Sequence, residues 1–265
     1  MIKTLVAIEV DLASSFAIRY ACQLSYSMNM EIHPVYVKFP SLEVPMTGVG
    51  WVRRTWEREI VEMGKAEIQE MLVSEMEACP MLQDPRVIYG DREYELLKIM
   101  QQETFDLYVE GAPYPFTPAT IHKRLHARFY QRLDCPLIWL RGVRKLQQVL
   151  ALCLDPDGTR ALVKTLGHLW QGCTIPLHLG YPAAGGTAGV IDLHATVANA
   201  REELEAQGAK AVLKEPFLLV AGGPPLELVK DYGLVAVALE KGVKKDSPEL
   251  QWLAQMKAPL MLVLV

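Results

Sequence analysis

The chain has 265 residues, 51% of them hydrophobic and 22% charged, with a formal net charge of −4. This suits one large or two small globular domains with a sizeable core, and the acidic balance argues against a polyanion partner such as nucleic acid over the whole surface. The five cysteines (Cys22, Cys79, Cys135, Cys153 and Cys173) are scattered without a CxxC, and three lie in apolar runs. They read as buried, reduced thiols of a cytoplasmic protein.

The first ten residues, MIKTLVAIEV, have an apolar core too short for a signal peptide and interrupted by Glu9, so KTLVAIEV reads as a buried strand. No run of about 18 apolar residues occurs, and no membrane span is expected. SSFAIRYACQLSYSM follows with Phe16, Tyr20 and Leu24 at helical spacing, then EIHPVYV as a second strand. The segment 51–77 reads as a long amphipathic helix with Trp56, Ile60, Met63, Ile68, Met71 and Leu72 as its apolar stripe. RVIY, REYELLKIMQQ and FDLYVEG read as strand, helix and strand, followed by a helix over about Thr117 to Leu133 and the strand PLIWL. Alternation of this kind specifies a doubly wound parallel sheet.

The second part of the chain repeats the alternation. QVLALCL, DGTRALVKTLGHLW and TIPLHLG read as strand, helix and strand, followed by the loop YPAAGGTAG and a helix from about Ile191 to Gln207. A strand near Phe217 to Val220 and a short helix after GGPP are expected next. GLVAVALE and APLMLVLV then flank the helix SPELQWLAQM, which starts with a cap, a proline and an acid at Ser247, Pro248 and Glu249. Three matches between the parts occur in the same order: VDLASSFAI with LDPDGTRAL, YGDREYELLK with AGGPPLELVK, and CPLIWL with APLMLV. The chain is therefore read as two related domains, 1–143 and 144–265, joined by the polar link RGVRKLQQ.

Five strands and four helices in this order, duplicated, resemble a tandem universal stress protein. LVAIE with Ala17 eight residues on, YGDREYELLKIMQQETFDLYVEG and DCPLIWL are similar to that family's first strand, its glycine–acid–helix–strand segment and its closing strand. The resemblance covers nearly all of 1–141 and is weaker over 144–265. It implies two Rossmann-like, flavodoxin-like five-stranded parallel sheets in tandem, related by a pseudo-twofold axis. It also implies that the last strands PLIWL and APLMLVLV pair within the chain as an intramolecular pseudo-dimer, with a homodimer as a further assembly. ATP-binding members carry a loop of pattern G-x2-G-x9-G-[ST] after the fourth strand. Here Gly111 matches the first glycine, Tyr114 stands at the second, and Lys123 and Arg124 stand at the last pair. Glu9 stands where the family uses Asp.

On this resemblance the candidate nucleotide or anion site comprises Glu9, Asp11, Val37, Gly90, Gly111, Thr117, Thr120, Lys123 and Arg124, with the base near Glu9 and Val37 and the phosphates near Thr117 to Arg124. Two readings of the loop stand. One is an altered anion site, with Thr117 capping a helix among His122, Lys123, Arg124, His126 and Arg128. The other is a proline-stiffened connection with its basic residues on a solvated face. Asp11 and Asp155 stand at matching strand ends and read as helix caps or as ribose or metal contacts. His122 and His126 are spaced i, i+4 without a nearby acid or cysteine, and read as surface residues. AAGGTAG lacks the Lys-Ser/Thr end of a phosphate loop. No nucleophile motif or catalytic constellation is found. The expectation is a cytoplasmic, non-enzymatic stress-response module that binds a protein partner or small ligand and holds no cofactor. The alternative is an atypical nucleotide-binding protein that uses the first domain with ATP or AMP and Mg, with slow ATP hydrolysis.

Overall fold

Apolar runs form the strands, and short polar side chains start most of the helices between them. In a computed structural model of the chain, residues 1–39, 51–183, 193–220 and 223–265 are described, with backbone alone at 51–53, 70–71, 74 and 76–78. The first half runs β1 (Ile2–Ile8), α1 (Leu12–Ser25), β2 (Met30–Lys38), α2 (Trp51–Ala78), β3 (Arg86–Tyr89), α3 (Arg92–Gln102), β4 (Leu107–Gly111), α4 (Pro118–Leu125), α5 (Arg128–Gln131) and β5 (Leu137–Leu140). The second runs β6 (Val149–Leu152), α6 (Pro156–Leu169), β7 (Leu177–Gly180), α7 (Leu193–Ala206), β8 (Ala211–Leu213), α8 (Leu226–Val229), β9 (Leu234–Leu239), α9 (Pro248–Gln255) and β10 (Leu260–Leu264).

The strands order as β3-β2-β1-β4-β5-β10-β9-β6-β7-β8, so each half carries the order 3-2-1-4-5 and all pairs within a half are parallel. The two five-stranded halves meet edge to edge as one ten-stranded sheet. Its seam is the antiparallel pair β5–β10, with Leu137 opposite Leu262, Ile138 opposite Met261 and Trp139 opposite Leu260. This register is what a twofold axis at Ile138 and Met261 requires. Pairing the last strands also removes two exposed apolar edges.

Helices cover both faces of the sheet. α1, α2, α6 and α7 bury one apolar cluster, and α3, α4, α5, α8 and α9 the other. Contacts across the seam tie the halves together. The buried Tyr20 hydroxyl donates to the Gly233 carbonyl at 2.8 Å, and Arg141 Nη1 to the Met256 carbonyl at 2.6 Å. Gln131 Nε2 donates to the Lys241 carbonyl at 2.9 Å, and Lys241 Nζ answers to Leu133 at 3.1 Å.

Three expectations change. The third strand of the second half is Ala211–Leu213, and Leu218, Leu219 and Val220 are exposed, with Val220 only bridging to Gly223. An edge strand pairs on one side alone, so a short, weakly apolar segment suffices there. The helix expected over Thr117 to Leu133 breaks between His126 and Arg128, because Ala127 takes an extended conformation with φ −67° and ψ 148°. In α2, Ile60, Ile68 and Leu72 are buried but Met63 is 59% exposed, and the Met71 side chain lies outside the described residues. The glycine-rich stretch beyond Ala183, and Ala221 and Gly222 ahead of the Pro-Pro pair, also lie outside them.

Candidate functional site

In a doubly wound sheet, ligands bind beyond the carboxyl ends of the strands, where the strand order reverses. In the first half that point lies between β1 and β4. A cleft of about 240 Å3 opens there, walled by the β1–α1 turn (Glu9, Asp11, Ala13), the loop after β4 (Gly111 to Tyr114), and Arg92 and Arg124 from α3 and α4.

Behind the two arginines of this wall lies Glu110, 1% exposed, near the end of β4. A carboxylate so placed is tolerated only when fully paired. Its Oε2 accepts from Arg92 Nη2 at 2.8 Å, Arg124 Nη2 at 2.9 Å and the Tyr108 hydroxyl at 2.8 Å. Its Oε1 accepts from Trp139 Nε1 at 2.8 Å and from the Tyr130 hydroxyl. Burial pushes this carboxyl up, but Arg92 and Arg124 outweigh it and bring it down to about 2. The Tyr108 and Tyr130 phenols are pushed above their ordinary value by burial and then by the Glu110 charge. Arg124 Nε also donates to the Tyr130 hydroxyl at 2.5 Å, and Arg92 Nε lies 2.9 Å from Glu9 Oε1. Glu9, Arg92, Glu110 and Arg124 thus form a chain of alternating charge running from the cleft mouth into the core.

Among the described residues, the second half has no counterpart of this chain. Glu110 pairs with Trp139 across β4 and β5, and the matching pair across β9 and β10 is Val237 with Leu262. Val235 matches Tyr108 by the same register. At these matched positions the polar network of the first half is replaced by aliphatic side chains.

Of the residues assigned from the sequence, the cleft gathers Glu9, Asp11, Gly111 and Arg124. Asp11 is the α1 cap, with Oδ1 accepting from Ser14 N at 2.8 Å, and Asp155 does the same for α6 through Gly158 N at 2.7 Å. Gly111 is glycine for a packing reason: a Cβ there would lie 2.5 Å from Ala13 Cβ. Thr117 and Thr120 form a capping box at the start of α4, and the Thr120 hydroxyl also reaches the Pro115 carbonyl. Capping occupies both hydroxyls. Lys123 is exposed, and His122 and His126 stack with ring centroids 3.9 Å apart. Val37 is 9% exposed within the second apolar cluster, and Gly90, at φ +148°, is packed on Glu95.

One reading of the loop is corrected: Arg124 is not on a solvated face but turns inward to Glu110. Tyr114, at the second glycine position, is 97% exposed at the rim. Sequence reasoning missed Glu110, Arg92, Tyr108, Tyr130 and Trp139. The available signal was an acid closing an apolar strand. Among the described residues, no three His, Cys, Asp or Glu side chains could hold a metal, and no helix is long and apolar enough to cross a membrane.

A duplicated, doubly wound α/β sheet joined through its last strands defines a class that solved structures share. The chain is similar to a universal stress protein from Archaeoglobus fulgidus (13% identity, TM-score 0.63, covering 98% of this chain and 95% of that one). It is also similar to a Pseudomonas aeruginosa protein assigned to the universal stress proteins (15% identity, TM-score 0.57, 99% and 92%) and to a Pseudomonas aeruginosa protein of unknown function (15% identity, TM-score 0.56, 99% and 92%). No protein-family model matches the sequence, and no curated protein matches it. The fold is that of a tandem universal stress protein.

Proposed function

We propose that this chain is a non-enzymatic binding or regulatory module of universal-stress-protein type, acting in a stress response, in which ordinary ATP binding has been given up. The observation that carries the reading is Arg124. It stands where an ATP-binding loop presents the hydroxyl of its closing Gly-Ser/Thr pair, and it is committed to the buried Glu110 carboxylate at 2.9 Å. Two further features support the reading. Gly111 spends its missing side chain on contact with Ala13 instead of on a phosphate. The cleft of about 240 Å3 also falls short of the roughly 300–1,000 Å3 common for larger small-molecule ligands.

The test is to purify the chain, examine it for retained adenine nucleotide by absorbance ratio and mass, and titrate it calorimetrically with ATP and Mg. No retained nucleotide and no heat of binding are expected. Adenine nucleotide carried through purification, or a micromolar Kd for ATP, overturns the proposal in favour of an atypical nucleotide-binding protein.

A further inference from the structure

We propose that the cleft between β1 and β4 takes a small zwitterion, an α-amino acid in its simplest form, with the carboxylate on Arg92 and Arg124 and the ammonium on Glu9 and Asp11. This rests on the reading above, that the cleft no longer takes a triphosphate.

The two walls of the cleft differ in charge. On one side the hydrogen bonds of Arg92 and Arg124 to protein use both Nη2 atoms and the Arg124 Nε, and neither Nη1 donates to a described residue. Both guanidiniums are held in place by a carboxylate beneath them, and their side chains remain 21% and 29% exposed. Guanidiniums fixed this way with N–H groups to spare are preorganised for a carboxylate. On the other side, the Glu9 side chain is 51% exposed and carries Arg92 as its ion-pair partner. Asp11 is exposed, and its cap bond uses Oδ1, leaving Oδ2 for a cation.

Charge and size narrow the ligand. Glu9, Asp11 and Glu110 outnumber Arg92 and Arg124 by one, so a phosphate dianion and a bare carboxylate both meet net repulsion, while a bare ammonium leaves the spare N–H groups of Arg92 and Arg124 without an acceptor. A zwitterion satisfies both walls. The volume of about 240 Å3 and the small Ala13 and Ala112 at the wall leave room for a short side chain only.

The experiment uses the full chain and follows the thermal unfolding midpoint and calorimetric heat with L-alanine and L-serine. Acetate, methylammonium, inorganic phosphate and ATP with Mg serve as comparison probes. A ligand bound only by the folded state raises the midpoint with concentration, and probes up to about 10 mM detect a millimolar Kd. The amino acids should raise the midpoint, and acetate and methylammonium should not. The double variant Glu9→Gln with Asp11→Asn, in which Asn keeps the α1 cap, should weaken amino-acid binding by about tenfold or more. Asp155→Asn at the other cap should leave it unchanged. The proposal is overturned if neither amino acid binds, if acetate or phosphate alone has the same effect, or if the double variant binds as well as the parent. An ATP response without an amino-acid response sinks both readings, and silence from every probe sinks this one alone.

Discussion

Replacing Glu110 with Gln changes one oxygen for an NH2 group and almost no volume, so it isolates the buried charge. In Glu110→Gln the Tyr108 and Tyr130 hydroxyls can turn to accept from the amide, but Trp139 Nε1 and the two guanidiniums only donate. Arg92 then keeps Glu9, and Arg124 loses its carboxylate partner. Two routes give the magnitude. Lowering this carboxyl from 4.5 to about 2 corresponds, at about 1.4 kcal/mol per pH unit, to ~3 kcal/mol of stability at neutral pH. Removing one partner of a buried ion pair costs about 3–5 kcal/mol. Urea unfolding at pH 7, with the slope held equal between proteins, should therefore show Glu110→Gln about 3–5 kcal/mol less stable, a large part of a typical total of about 5–15 kcal/mol. A loss under about 1 kcal/mol would refute the claim that Glu110 is charged and fully paired in the folded state.

Because folding lowers the Glu110 pKa, its contribution is whole above about pH 5 and drains away as pH falls through 4.5 towards about 2. The parent should lose stability over that window in an acid titration followed by circular dichroism, and Glu110→Gln should lose less. Gly111→Ala should lower the thermal midpoint, costing about 1–3 kcal/mol, because its Cβ meets Ala13 at 2.5 Å. Combining it with Ala13→Gly should recover part of the loss. Thr117→Ala removes the α4 cap and should cost about 1 kcal/mol in urea unfolding, with Thr117→Ser close to the parent. The apolar set Glu110→Val, Arg92→Met and Arg124→Met imitates the Val237 half and should be more stable than Glu110→Gln.

The fold is legible in the sequence because its signals are local. Strands such as Leu137–Leu140 and Leu260–Leu264 are continuous apolar runs, and Asp11, Asp155, Thr117 and Ser247 announce the helices they cap. The β8 strand is not legible in the same way, because Phe217 to Val220 is the more apolar segment, yet pairing with β7 falls to Ala211–Leu213. The break at Ala127 has no glycine or proline to mark it. The network around Glu110 is hidden for another reason. Arg92, Arg124, Tyr130 and Trp139 stand 18, 14, 20 and 29 residues from Glu110, and only the sheet order brings them together. Each reads by itself as an ordinary surface cation or core aromatic. Arg124 was singled out for its charge, but nothing nearby says that it faces inward.

The seam at Ile138 and Met261 has a consequence for how such a molecule can change. Two copies of one chain meeting through the same edge would have to carry every substitution twice, once on each side of the axis. Fusing the copies into a single polypeptide lifts that constraint. One side holds ionised groups at its centre, and the mirror position is filled with aliphatic ones at Val235, Val237 and Leu262. At these positions the second half can therefore diverge from its neighbour without disturbing the shared seam.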